Sequence, residues 1–70
     1  MTPEQIAALF TYHPPKGDQP ERYERINNLM REAALELNRI CPDSAEKTLA
    51  IRHLQLARML ANASIAIWEA

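Results

Sequence analysis

The sequence predicts an all-α fold in which a short N-terminal helix precedes an antiparallel two-helix hairpin that assembles into a homo-oligomer. Apolar residues recur at alternating spacings of three and four along residues 23–40 and 49–67, and prolines beyond the N-terminus occur only at 14–20 and 42. With 47% hydrophobic residues in 70, the chain is too apolar for disorder. Its single cysteine and lack of a zinc-ligand cluster leave oligomerisation to support so small a core.

The first helix is predicted at about 3–12. Thr2 is an N-cap residue, Pro3 suits the first helical position, and Gln5 completes a capping box. The helix must end near Tyr12, because His13 precedes the first of two consecutive prolines and a residue before proline avoids the helical region. Residues 11–19 hold two prolines and a glycine, which predicts a loop.

The second helix is predicted at about 19–41. Asp18 and Glu21 have capping-box spacing at its start, and Pro42 ends it near Cys41. One face carries an apolar seam with the heptad spacing of helices that pack along one another. The members of this seam are Tyr23, Ile26, Met30, Ala33, Leu37 and Ile40.

The third helix is predicted at about 43–69, starting from an acidic capping box of Asp43 and Glu46. The short turn before it requires an antiparallel hairpin. A second apolar stripe lies beside its seam, and one neighbouring helix cannot cover both, so we expect other copies of the chain to cover the second face. We treat residues 1–70 as a single domain. The seam of the third helix is Leu49, His53, Leu56, Leu60, Ala63 and Ile67.

Composition and charge exclude several classes of protein. Eight basic and nine acidic residues give a net charge of −1, whereas proteins that grip DNA or RNA polymers usually carry a basic excess. The sequence has no apolar run of membrane-spanning length and no basic region typical of a signal peptide. A free thiol without a secretion signal indicates a reducing, cytoplasmic setting.

The sequence predicts no catalytic site, metal site or cofactor. His13 and His53 lie far apart, no other residue completes a metal triad with them, and we interpret His53 as a core or interface residue. Cys41 is interpreted as a small apolar residue at a helix end. Carboxylates lie at helical spacing from arginines, as Glu21 does from Arg25, which is typical of a solvated face. An enzyme, including a small phosphohydrolase, is therefore not predicted.

The loop after the first helix is the candidate binding feature. Its two prolines hold it stiff, so little entropy is lost when it binds a ligand. We interpret Phe10 as packing the first helix onto the hairpin. Tyr12 leaves two alternatives open, since it either packs in the same way or stacks on a nucleobase. The nearby basic side chains that could contact phosphate are Lys16, Arg22, Arg25 and Arg31.

The order of the residues resembles a known family. Together, four fragments resemble the phage anti-CBASS cyclic-nucleotide sponge family, whose helical-hairpin domain is shared with a class of anti-Thoeris sponges. CBASS is a bacterial antiviral system in which infection triggers synthesis of a cyclic oligonucleotide that activates a killing effector. The fragments are Phe10-x-Tyr12-His13-Pro14-Pro15, Asp18-Gln19-x-x-Arg22-Tyr23-Glu24-x-Ile26, Cys41-Pro42-x-Ser44-x-Glu46-Lys47 and Ala57-x-Met59-x-Ala61-Asn62-Ala63-x-Ile65-Ala66.

The resemblance implies both an assembly and a function. It implies a homohexamer that sequesters cyclic dinucleotides such as cyclic GMP-AMP in pockets between protomers, without cleaving them. Relatives of this kind also hold cyclic trinucleotides in separate pockets. Carried over to this chain, Tyr12 stacks on a base, and Arg31 with Arg25 contacts phosphate. The residues that shape the pocket are His13, Pro14 and Lys16.

Three positions depart from the family pattern. Many relatives have a basic residue at the position of Asn27, a Trp at Leu60 and an Arg at Ile67. The first departure bears on phosphate binding, and the last bears on the trinucleotide pocket. The alternative hypothesis is a small helical interaction module that binds a protein partner through the apolar face of the third helix.

Overall fold

A computed structural model describes residues 1–69, and the part it describes contains three helices and no strand. The helices are α1 (Pro3–Phe10), α2 (Gln19–Ile40) and α3 (Ala45–Trp68). The short connection between α2 and α3 folds them back on one another as a hairpin. The all-helical prediction is therefore confirmed, while Ala70, the last residue of the predicted 1–70 domain, lies outside the described residues.

The hairpin forms a single layer of helices. The Cα positions span 44 × 29 × 12 Å along the principal axes, so the chain is flat, and within residues 1–69 no third helix packs extensively across the α2–α3 pair. The radius of gyration is 15.1 Å, against about 11 Å for a globular domain of this length. Both broad faces of the layer are therefore open to solvent in a single chain.

A single layer leaves almost no core. Ile65 is the one buried hydrophobic side chain in the described part, and the other buried residue is the polar Gln19. The chain exposes 5593 Å² of surface, roughly 1,100 Å² more than the scaling for folded monomers of this size predicts. That surplus exceeds the roughly 800 Å² that each partner contributes to a standard protein interface.

The prediction for the seam of α2 is largely correct. Five of its members are half-buried and lie toward α3, whereas the last, Ile40, is exposed at the end of the helix. Leu35, outside the seam, is 63% exposed. The half-buried members are Tyr23, Ile26, Met30, Ala33 and Leu37.

The prediction for the seam of α3 is wrong for the part that runs from Leu49 to Leu60. Leu49, Leu56 and Leu60 are all exposed, and so is His53, which is not a core residue of this chain. Residues two positions apart lie about 200° apart on a helix, so this part of the seam points away from α2. The last two members, Ala63 and Ile67, are half-buried. Spacing did not decide the orientation, because α3 is apolar around most of its circumference. The stripe that contacts α2 consists of Lys47, Ile51, Leu54, Arg58, Ala61 and Ile65.

The ends of α1 follow from local hydrogen bonds. At the start, the Gln5 backbone N–H donates to Thr2 Oγ1 at 3.1 Å and the Thr2 N–H donates to Gln5 Oε1 at 2.8 Å, which confirms the capping box. The helix ends at Phe10, two residues before the predicted boundary. Thr11 turns extended there, and its hydroxyl donates to the Ala7 carbonyl at 2.6 Å, satisfying one of the free carbonyls of the last turn.

Two predicted acidic capping boxes are absent from the described residues. The Asp18 side chain makes no cap hydrogen bond and lies 3.6 Å from the Arg22 guanidinium instead. At α3 the N-cap is Ser44, whose Oγ accepts the Lys47 N–H at 3.1 Å. Asp43 is left free to pair with the Lys47 ammonium, so α3 begins at Ala45 rather than at 43.

Lys47 closes the hairpin at its turn. Its side chain is only 10% exposed, and Nζ donates to the carbonyls of Asn38 at 3.1 Å and Cys41 at 3.4 Å. These carbonyls belong to the C-terminal end of α2, where backbone acceptors lack helical partners and a cation is favourable. Nζ also donates to Asp43 at 2.6 Å, and this contact lowers the pKa of the Asp43 carboxyl. A side chain of α3 thus caps α2.

We predict that Lys47→Met lowers the free energy of unfolding by about 1–2 kcal/mol, because the aliphatic stem remains while two helix-end carbonyls lose their donor. Urea unfolding at a fixed protein concentration measures the effect. Arg39→Met is the matched control, since Arg39 is an exposed cation that pairs only with Glu36 on its own helix. Equal midpoints for the two variants would contradict the capping role of Lys47.

Candidate functional site

The buried amide of Gln19 organises the loop at residues 11–18. Gln19 is 4% exposed; its Oε1 accepts the Lys16 N–H at 3.1 Å, and its own N–H donates to the Lys16 carbonyl at 3.0 Å. Between them, Gly17 takes a φ of +57°, a left-handed conformation that glycine adopts without strain. The loop is therefore fixed to the first turn of α2 by two hydrogen bonds. The sequence analysis gave Gln19 no role of its own, although the residue is part of the Asp18-Gln19-x-x-Arg22 fragment that resembles the family.

His13 ties the other end of the loop to α1. Its Nε2 lies 3.2 Å from the Ala8 carbonyl oxygen and donates to it in the tautomer protonated at that nitrogen. This carbonyl is in the last turn of α1, where no helical donor is available. Between the contact of His13 and that of Gln19, two prolines restrict the backbone. Both ends of the loop are thus anchored.

The anchored loop forms a small pocket against the hairpin, with a volume of about 240 Å³. Three of the residues expected to shape the site meet there, and α3 supplies one wall. The pocket is smaller than the roughly 300–1,000 Å³ typical of small-molecule sites, so a single chain encloses only part of a nucleotide-sized ligand. The lining residues are His13, Pro14, Lys16, Gln19 and Ala66.

The two aromatic residues of this region both face solvent. Tyr12 is 81% exposed and Phe10 is 86% exposed. The interpretation of Phe10 as the residue that packs α1 onto the hairpin is therefore wrong for this chain. That contact is made instead by Leu9 and Ala8, which line an apolar cleft with Ile67 at the end of α3. Of the two alternatives for Tyr12, packing onto the hairpin does not occur.

Arg22 links α2 to the end of α3 at the end of the hairpin opposite the turn. Its two terminal nitrogens donate to the Glu69 carboxylate oxygens at 2.7 and 2.8 Å, and Asp18 lies beside it. This paired contact raises the pKa of Arg22 and lowers the pKa of Glu69. The guanidinium expected to contact a ligand is thus engaged between α2 and the end of α3.

Arg25 lies in an acidic environment on the outer side of α2. It lines a shallow cleft that also holds Glu21, Glu24 and Glu32. Within residues 1–69, no ion pair joins Arg25 to Glu21, so the pairing predicted from their spacing is wrong. The ion pairs observed within residues 1–69 are Asp18–Arg22, Arg22–Glu69, Glu36–Arg39 and Asp43–Lys47.

Arg31 lies in a separate groove between α2 and α3. Two arginines of α3 that sequence reasoning did not assign, Arg52 and Arg58, line the same groove. Twelve residues of helix separate Arg31 from Gln19, which corresponds to about 18 Å. Arg31 therefore lies outside the loop pocket, and the two pockets share no lining residue.

The three positions that depart from the family pattern fall in different places. Asn27 lines the arginine groove, so amide chemistry replaces charge there. Leu60 is 62% exposed on the side of α3 that points away from α2. Ile67 lines the apolar cleft with α1, and its side chain is half-buried.

Residues 1–69 contain neither a candidate metal site nor a membrane-spanning helix. No group of three or more His, Cys, Asp or Glu side chains is placed to hold a metal ion within that range. None of its helices is both long and apolar enough to cross a membrane.

Comparison with protein families shows the family of this chain. A family model described as "Acb2/Tad1, hairpin domain" matches residues 2–66. The chain belongs to the Acb2/Tad1 hairpin-domain family. Comparison with curated proteins gave no match, and comparison with solved structures gave none either.

The Acb2/Tad1 family comprises the anti-CBASS and anti-Thoeris sponges, so the resemblance seen in the sequence is confirmed. Membership suggests a phage sponge for cyclic nucleotides, a binding protein rather than a catalyst, and it does not favour the interaction-module alternative. Two of the motif positions that carry the resemblance now have structural roles, Ser44 as an N-cap and Lys47 as the cap of α2.

We predict that Glu69→Gln makes the melting temperature depend less steeply on pH in the acidic range. The lowered pKa of Glu69 means that the Arg22 contact stabilises the fold above the ordinary carboxyl pKa of about 4.5 and is lost as pH falls through the lowered value. The variant should melt at a lower temperature than the parent near neutral pH and approach the parent upon acidification.

Thermal unfolding at a series of pH values measures this effect at one protein concentration. Glu46→Gln is the control, because Glu46 is exposed and forms no ion pair within residues 1–69. Asp43 and its contact with Lys47 remain in all three proteins, so their contribution cancels. A Glu69→Gln profile parallel to that of the parent would show that the Arg22 contact does not stabilise the fold.

Proposed function

We propose that the protein sequesters cyclic oligonucleotide second messengers, foremost cyclic dinucleotides such as cyclic GMP-AMP, and so blocks activation of CBASS effectors in the cytoplasm of an infected bacterium. The observation that carries the proposal is the exposed ring of Tyr12 in a loop anchored at both ends. An aromatic face presented by a fixed backbone stacks on a nucleobase with little loss of entropy. Family membership supports the same ligand class.

The proposed ligand contacts divide by chemistry. Tyr12 stacks on a base beside the pocket that His13 and Pro14 shape. Lys16 lies at the mouth of that pocket and supplies a cation to a phosphate. Arg22 acts through its contact with Glu69, which fixes the start of α2 under the loop.

The other phosphate contacts come from Arg31 and Arg25. Since the loop pocket and the groove that holds Arg31 are separate in one chain, we place Tyr12 of one protomer against Arg31 of its neighbour. The small size of the loop pocket also calls for a second wall. Binding between protomers satisfies both requirements.

A homo-oligomer is therefore part of the proposal, and the family resemblance makes it a homohexamer. The single-layer hairpin exposes more surface than a folded monomer of this size, and leucines follow the outer side of α3. Burial of that apolar surface between copies would supply the stability that one layer lacks. The short chain then suffices, because each copy contributes only part of every pocket.

The central prediction concerns Tyr12→Ala. It should weaken binding of a cyclic dinucleotide by about 1–3 kcal/mol, the range for loss of one base-stacking contact. Tyr12→Phe keeps the ring and should retain affinity. Calorimetry against a panel of cyclic dinucleotides and trinucleotides gives the affinities, and recovery of intact nucleotide from the denatured complex distinguishes sequestration from cleavage.

Phe10→Ala is the matched control for this experiment, because Phe10 is an equally exposed ring two residues away. It should leave the affinity unchanged. Equal affinities for Tyr12→Ala and the parent would remove Tyr12 from the site. If the parent binds no member of the panel more tightly than about 10 μM, or about −6.8 kcal/mol, the sponge function itself is rejected.

The assembly generates a separate prediction. Leu60→Glu should dissociate the oligomer, because it places a charge on the apolar side of α3 that we expect other copies to cover. Leu35→Glu is the control, since Leu35 on α2 has nearly the same exposure, 63% against 62%. Sedimentation equilibrium measures the mass of each protein. An unchanged mass for Leu60→Glu would exclude this side of α3 from the interface.

A further inference from the structure

The groove between α2 and α3 gathers three guanidinium groups. It has a volume of about 530 Å³, which lies within the range of small-molecule sites. Arg31 contributes from α2, whereas Arg52 and Arg58 contribute from α3. These positions are brought together by the pairing of the helices, so the cluster does not exist in the linear sequence.

No carboxylate lines this groove. Arg31 donates to the Asn28 amide oxygen at 3.2 Å, and Arg52 donates to the Gln55 amide oxygen at 3.1 Å, so both are held by neutral partners. Within residues 1–69, none of the three arginines forms an ion pair. Their charges are therefore not compensated by a carboxylate within the described part of the chain. The cleft around Arg25, in contrast, holds three glutamates.

The rest of the lining matches the parts of a nucleotide. Met30, Ile51 and Leu54 provide an apolar surface for the face of a base. The amides of Asn27 and Gln55 supply donors and acceptors for base edges or sugar hydroxyls. Arg58, half-buried on the helix contact stripe, is held in place by packing, which favours a fixed, paired hydrogen bond to phosphate.

We propose that Arg31, Arg52 and Arg58 form a phosphate-binding groove for a small nucleotide that carries two or more phosphate groups. This inference deepens the proposed function and rests on it only for the cyclic identity of the ligand. It assigns to Arg52 and Arg58 a role in binding phosphate beside the previously expected Arg31. A net charge of −1 and the acidic cleft on α2 oppose the approach of a long polyanion, which selects a small ligand.

The test compares the full chain with the double variant Arg52→Gln/Arg58→Gln. Calorimetry is performed with tripolyphosphate, with a cyclic dinucleotide and with a single-stranded RNA. The parent should bind tripolyphosphate more tightly than about 1 mM, and the double variant should bind tripolyphosphate and the cyclic dinucleotide at least about tenfold more weakly. Arg39→Gln, which removes an exposed arginine paired with Glu36, should bind both as the parent does.

Folding is checked by helical content and by the thermal midpoint. If the half-buried Arg58 proves necessary for folding, Arg31→Gln/Arg52→Gln replaces two exposed arginines of the same groove and carries the test. Parent-like affinity of the groove variant for both small ligands overturns the inference. Tighter binding of RNA than of either small ligand also overturns it, because the groove would then serve a polymer.

The remaining outcomes separate this inference from the proposed function. Loss of tripolyphosphate binding in the groove variant, combined with no binding of any cyclic nucleotide by the parent, supports the groove and rejects the sponge. Cyclic-dinucleotide binding that is the same in the parent and the groove variant supports the sponge and rejects the groove.

Discussion

The arrangement of α2 and α3 in a single layer, with no third helix packed extensively across them in residues 1–69, is the constraint on which the other features depend. Two helices in one layer bury a narrow stripe on each, and within the described residues one apolar side chain becomes buried. Polar contacts at the ends of the hairpin consequently do more to set the relative position of α2 and α3 than they would in a two-layer domain. Lys47 caps α2 at the turn, and Arg22 binds Glu69 at the open end. The register of α2 against α3 is fixed from both ends.

The scarcity of buried apolar side chains also explains how the loop is held. The most buried residue is Gln19, a polar side chain that binds the loop backbone. Because hydrogen bonds rather than apolar contacts anchor the loop, Tyr12 remains exposed and its backbone remains restricted. The exposed Tyr12 ring is thus held in position within a single chain, but it does not enclose a ligand there. In the proposed site a neighbouring copy supplies the second wall, and that copy would pack on the surplus surface of the hairpin.

The sequence predicted the helices, the α2 seam and the first cap, because each depends on residues close together in the chain. It did not predict which stripe of α3 meets α2, since apolar residues surround that helix. It also failed for Phe10, which is exposed, while its neighbour Leu9 lines the cleft against the end of α3. The acidic capping boxes failed because Arg22 and Lys47 bind the carboxylates. Contacts between distant segments decided the α3 stripe and the exposure of Phe10, whereas the capping boxes were lost to pairs only four residues apart in the chain.

The distribution of charge explains how a nearly neutral chain can serve as an anion-binding protein. The acidic cleft of α2 and the arginine groove lie on different parts of the surface, so the local fields oppose one another although the total is −1. A long polyanion would experience both regions, whereas a small phosphate ligand experiences only the groove it occupies. At physiological ionic strength, fields are screened within about 8 Å, which strengthens this distinction. The proposed selectivity for small ligands thus rests on the spacing of the charges and needs no basic excess.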